Sequence, residues 1–89
     1  MFEFDPEKSA TNKAKHGIDF VEAQRLWEDR NARYGRVIRV GLTEQRWLVV
    51  GRIDDRLWTA VVTYRGEATR IISVRRARED EARHYDETD

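Results

Sequence analysis

The chain has no cysteine in 89 residues, which removes disulfide staples, thiolate nucleophiles and thiolate metal sites at one stroke. It has one proline, Pro6, and only three lysines, Lys8, Lys13 and Lys15. Neither end carries an apolar run long enough for a signal peptide or a membrane span, so a soluble, cytoplasmic protein is expected. A second core has no material to form from, so residues 1–89 are expected to make one domain. Formal charge is also missing: 17 Lys and Arg balance 17 Asp and Glu. Taken alone, that balance argues against a nucleic-acid partner, whose affinity rests on neutralised phosphates.

What is present reverses this argument. Fourteen of the 17 cations are arginine, whose planar fork of donors suits bidentate recognition of phosphate or carboxylate. The charges are also segregated. Residues 46–78 hold eight arginines against Asp54, Asp55 and Glu67, a net of +5, while residues 79–89 hold Arg83 against six acids, a net of −5. The zero is a cancellation between two regions.

Phe2 and Phe4 alternate with polar neighbours and predict a short first strand. Asp5-Pro6 is a helix start, and Gly17 a left-handed stop, giving a helix over Pro6–His16 with Ala10 and Ala14 on a thin inner face. Asp19 with Glu22 forms an acidic capping box. Phe20, Ala23, Leu26 and Trp27 then predict a second amphipathic helix to about Asp29. From residue 37 the period changes to two, predicting strands over 37–41, 46–53, 57–64 and 69–74 joined as an antiparallel meander. Arg46, Leu48, Val50 and Arg52 fall on one face of the second of these. Trp27, Trp47 and Trp58 are assigned to the core. A closing helix is expected from Arg76 to about Tyr85, with residues 86–89 frayed. The sum is an α+β domain with two N-terminal helices, an antiparallel meander sheet and a short C-terminal helix.

Several of these segments combine into recognisable blocks. Phe4-Asp5-Pro6 with Lys8, Asn12-x-x-Lys15-His16-Gly17-Ile18 and Phe20-x-x-Ala23 open the chain. Glu44-x-Arg46, Gly51-Arg52, Tyr64-x-Gly66 and Arg70-Ile71-Ile72-Ser73-x-Arg75-Arg76-Ala77 follow, with Tyr85 near the end. Together they resemble the BrnT toxins over almost the whole chain. The resemblance implies a RelE-like fold and a metal-independent endoribonuclease that blocks translation by cutting RNA. It also implies a type II toxin–antitoxin pair, with a BrnA-like ribbon-helix-helix antitoxin that neutralises the toxin. The family suggests a heterotetramer of two plus two, which contacts operator DNA only through the antitoxin. The sequence departs from the family pattern at 30–43, where the basic run Arg30-Asn31-Ala32-Arg33-Tyr34-Gly35-Arg36 replaces an acidic, often histidine-containing stretch.

Such cleavage requires a deprotonated 2′-hydroxyl, a stabilised phosphate charge and a protonated leaving oxygen. Arg70 and Arg76 are the catalytic candidates for the phosphate, with Arg46, Arg52, Arg65 and Arg75 expected to bind RNA beside them. His16, Lys15 and Tyr85 are the candidate proton carriers. Each has a purely structural reading as well. The arginines can pair with Glu79, Asp80 and Glu81; Lys15 and His16 suit the dipole at a helix C-terminus; Tyr85 can pin the last helix to the sheet. No metal-ligand spacing and no glycine-rich phosphate loop is present, so neither metal nor nucleotide cofactor is expected. A non-catalytic RNA-binding protein, or a co-repressor that only binds its antitoxin, is the alternative.

Overall fold

The computed structural model describes residues 1–41 and 44–87. Its elements run β1 (Phe2–Glu3), α1 (Pro6–His16), a 3-10 helix (Glu22–Glu28), β2 (Arg33–Val40), β3 (Glu44–Ile53), β4 (Arg56–Arg65), β5 (Ala68–Arg76) and α2 (Glu79–Asp86). The fold is α+β, built on one sheet in the order β1-β5-β4-β3-β2. Thr88 and Asp89, the end of the segment expected to fray, lie outside the described residues.

Helix α1 begins and ends where its caps dictate. The Asp5 carboxylate accepts from Glu7 N at 2.8 Å, and Gly17 adopts φ +82° while its N–H bonds to Lys13 O. Its buried face differs from expectation, however. Ala10 and Ala14 are exposed, and Ser9 and Asn12 point inward. Burying those two polar groups is affordable because each is used. Ser9 Oγ accepts from Phe20 N, and Asn12 Nδ2 donates to Ile18 O and Val74 O while its Oδ1 accepts from Val74 N. Asn12 thereby ties helix, loop and sheet at a single point.

The second helix is 3-10 in place of α. The Asp19–Glu22 box is present, with Glu22 N bonded to Asp19 Oδ1 and Asp19 N to Glu22 Oε1. Phe20, Ala23 and Leu26 are fully buried at a strict three-residue interval, which is the 3-10 repeat. This helix lies so close to β3 that a Cβ on Gly51 would stand 3.1 Å from Leu26 Cδ2 and 3.3 Å from its carbonyl oxygen.

Strands β2 to β5 form the expected antiparallel meander, turned by Asp54-Asp55 and Gly66-Glu67. Gly66 opens its two-residue turn at φ +59°, a conformation that favours glycine. The sheet as a whole is mixed, because β1 pairs in parallel with β5 through Phe2↔Thr69 and Glu3↔Arg70. Strand β2 starts four residues before the alternation predicts. Its partner β3 supplies the pairing, and a bulge between Tyr34 and Arg36, with Gly35 at φ +108°, absorbs the misfit.

One face of the sheet is sealed by α1 and the 3-10 helix. Ile18, Phe20, Ala23 and Leu26 meet Val49, Ile53, Trp58, Ala60, Val62, Ile71 and Val74 there. Trp58 is buried; Trp27 and Trp47 are partly buried against this core, with Phe2 and Phe4. Helix α2 crosses the opposite face.

Candidate functional site

Neighbouring residues on a strand face opposite ways, so Ala60 in the sealed core places Thr59 on the other side. There Thr59 Oγ1 donates to Glu81 Oε1 of α2 at 2.8 Å, which fixes this as the face that α2 crosses. The register puts Arg46, Leu48, Val50 and Arg52 of β3 on the same face, with Arg33 of β2, Arg65 of β4, and Arg70 and Arg75 of β5.

Three groups organise it. The first is the anchor of α2. Glu81 is buried, and its two carboxylate oxygens accept from Arg75 Nη1 at 2.7 Å and Nη2 at 2.9 Å. With Thr59, Arg78 N at 2.8 Å from Oε1 brings the donors to four. Burial opposes the charge on Glu81, but the Arg75 fork, Arg78 N and Thr59 outweigh it and pull the carboxyl down to about 2. Arg75 is correspondingly held more strongly protonated, chiefly by its hydrogen bonds to Glu81.

The second group centres on Asp29, just past the 3-10 helix. Strand β2 ends its pairing at Val50, so the Arg52 N–H on the β3 edge has no strand to bond. Asp29 Oδ2 accepts a hydrogen bond from that N–H at 2.7 Å and another from Tyr85 OH at 2.8 Å, while Oδ1 accepts from Asn31 N. Burial works against the Asp29 charge, yet these donors and the Arg52 guanidinium keep its carboxyl below the ordinary range. Tyr85 is shifted upward, first by burial and then by its bond to Asp29, so the phenol keeps its proton at neutral pH. The Arg52 guanidinium lies 5.7 Å from the Tyr85 ring centroid. Carboxylate, phenol and guanidinium thus meet in one place.

The third group is a cleft of about 500 Å³ between the start of β2 and α2, floored by Leu48 and Val50. Near it, Arg33 Nε is a buried donor without a hydrogen-bond partner, and Arg46 Nε is another. Arg46 holds Glu44 through Nη2 at 3.2 Å.

The expected residues are therefore distributed unevenly. Arg46, Arg52, Arg65, Arg70 and Arg75 share the α2 face, and Tyr85 reaches it from α2. Arg65 and Arg70 sit towards the β1 edge, both near Glu3 Oε1, at 3.5 and 3.6 Å. Arg76 lies on the other side, its guanidinium 5.5 Å from the centroid of the core residue Trp58. Lys15 and His16 close α1, which also packs on that other side. Asp29, Glu81 and Arg33 were missed as site residues. Asp29 looks in sequence like a helix end, and its partners lie 23 and 56 residues away. Arg33 was legible only as part of the basic run at 30–36. Among the described residues no three His, Asp or Glu side chains gather as a metal-holding group.

No curated protein matches the chain significantly. Residues 4–81 match the family described as "Ribonuclease toxin, BrnT, of type II toxin-antitoxin system". That match spans α1, the 3-10 helix, strands β2 to β5 and the start of α2, and by it the chain belongs to the BrnT family of type II toxin–antitoxin ribonuclease toxins.

Proposed function

We propose that this BrnT protein cleaves RNA without a metal ion at the Arg52–Tyr85–Asp29 group, and so arrests translation in the cytoplasm. The observation that carries the reading is a protonated phenol beside a guanidinium, at one end of a sheet face lined with arginines. RNA laid on this face meets cations at its phosphates. Arg52 offsets the charge that builds on the attacked phosphate, commonly the largest contribution to such catalysis. The 2′-oxygen bonds to phosphorus and its proton leaves to water. The bond to the 5′-oxygen breaks, and Tyr85 protonates that oxygen, leaving a 2′,3′-cyclic phosphate and a 5′-hydroxyl. Asp29 orients the phenol. Arg75 fastens α2 to the sheet, and Arg46, Arg65 and Arg70 track the RNA backbone. In this reading Lys15, His16 and Arg76 serve α1 and the core. The fold is read as RelE-like, and the partner as a BrnA-like ribbon-helix-helix antitoxin in a two-plus-two complex that reaches operator DNA through the antitoxin alone.

Incubation of the purified protein with end-labelled single-stranded RNA in EDTA tests this. Cleavage is expected from the wild type. Arg52→Ala and Tyr85→Phe should each lose about a hundredfold or more. His16→Ala should cleave normally, and loss there would return proton transfer to the α1 terminus. A shifted but intact RNA would favour the non-catalytic binder, and full activity in the Arg52→Ala, Tyr85→Phe double variant would remove the proposed centre.

A further inference from the structure

The α2 face carries more than cations. Along β3 its side chains alternate Arg46, Leu48, Val50, Arg52, so an apolar pair is bracketed by two guanidinium groups. At about 3.4 Å per residue the arginine Cα atoms stand roughly 20 Å apart, with the apolar pair between them. Leu48 and Val50 floor a cleft of about 500 Å³, within the usual range for small-ligand sites. One wall is the start of β2, where Gly35 leaves the backbone bare; the other is α2, where His84 stands one turn beyond Glu81. The Glu81 carboxylate already has four donors, so it offers a ligand little. Arg33 Nε, opposite Val50 in the register, is the reverse case: a buried N–H with no acceptor.

We infer that this cleft is a subsite for one unpaired RNA base, seated on Leu48 and Val50 beside the His84 imidazole, with its acceptor edge on Arg33 and its flanking phosphates on Arg46 and Arg52. The inference rests on the RNA reading above and adds to it a point of base selection. A flat ligand, apolar on its faces and rich in acceptors on one edge, matches an apolar floor with one buried donor. A phosphate on each side matches the bracketing arginines. Guanine fits best, because O6 and N7 side by side are what a guanidinium reads. Imidazole rings are among the groups on which unpaired bases stack. His84 is exposed and lines the cleft, and its assigned part is base selection rather than proton transfer.

The test uses binding, which keeps it separate from cleavage. A ten-nucleotide 2′-fluoro RNA containing a single guanine has no 2′-hydroxyl to attack, and its affinity is read by fluorescence anisotropy. Each position is then made abasic in turn. Wild-type protein should lose about tenfold in affinity when the guanine becomes abasic, and should lose some of it when guanine becomes adenine. His84→Ala should flatten the abasic scan while keeping the salt dependence of binding, which reports the phosphate contacts. Arg33→Met, which keeps the bulk of the stem, should erase the preference for guanine over adenine. A flat scan in wild-type protein that still binds the RNA would overturn the base subsite and leave the RNA reading standing. Absence of any RNA binding would overturn both.

Discussion

The two faces of this sheet are built from the same strands by opposite rules. On the face covered by α1 and the 3-10 helix, each strand offers aliphatic and aromatic side chains, and even the polar residues that turn inward, Ser9 and Asn12, are consumed by backbone partners. On the face crossed by α2, strand β3 sets arginines around Leu48 and Val50, and only a short helix covers part of them. A chain of 89 residues has room for one full core, so the second face is held by a few polar fastenings. On the proposed function, stability and chemistry fall on opposite sides of one sheet, and substitutions can separate them.

The sharpest break belongs to the sealed face. Phe20 is fully buried and ring-packed against Phe4. Phe20→Ala should cost about 3–5 kcal/mol in urea unfolding, a large share of the stability of so small a domain. Any activity it loses should return at lower temperature or with stabilising osmolyte. If activity instead vanishes in protein that unfolds as a normal cooperative unit, the division between the faces is wrong.

Next in size is the α2 fastening. Arg75→Ala leaves Glu81 buried without its main counter-charge and should cost about 3 kcal/mol, more than a surface ion pair ever contributes. The same bond predicts a pH dependence. Glu81 is held at about 2 against an unfolded value near 4.5, so its contribution is complete above pH 4.5 and disappears as pH falls towards 2. The contribution at neutral pH is on the order of 2–3 kcal/mol, and Glu81→Gln should remove that acid-dependent part of the urea midpoint. An unchanged acid profile in Glu81→Gln would mean that other carboxylates govern it.

Gly51→Ala tests the sealed face more gently. The added methyl would press on Leu26, whose side chain can yield by tenths of an ångström but whose carbonyl cannot. A loss of about 1–2 kcal/mol is expected, with cleavage per folded molecule unchanged.

Legibility followed the same division. Helix α1 was readable to the residue because Asp5-Pro6 and Gly17 act locally. The strands of the meander were readable because alternation and two-residue turns are local too. The parallel pairing of β1 was not, since two residues carry no periodicity and the partner strand is 67 residues further on. The 3-10 helix was visible as apolar spacing, but a three-residue repeat of Phe20, Ala23 and Leu26 is also half of an α-helical pattern. The arginine surplus pointed to the second face and its occupants. What gives that face shape was hidden: Asp29 reading a strand edge, Glu81 taking up Arg75, and a cleft that exists only once α2 crosses β3.

The smallest expected effect on stability is the most informative about function. What ties Arg52 to Asp29 is its backbone N–H, and alanine keeps that bond. The exposed guanidinium adds a hydrogen bond and a cation–π contact with Tyr85 and a Coulombic attraction to Asp29, so Arg52→Ala should change the urea midpoint by about 1 kcal/mol or less. RNA affinity should fall, and the slope of log affinity against log salt should shrink by about 0.7, the share of one phosphate contact on a single strand. Arg76→Ala, on the sealed side over Trp58, should do the opposite: a modest loss of stability with the salt slope unchanged. If both variants move the slope equally, RNA wraps past the edge of the sheet, and the boundary between the two faces lies beyond Arg76.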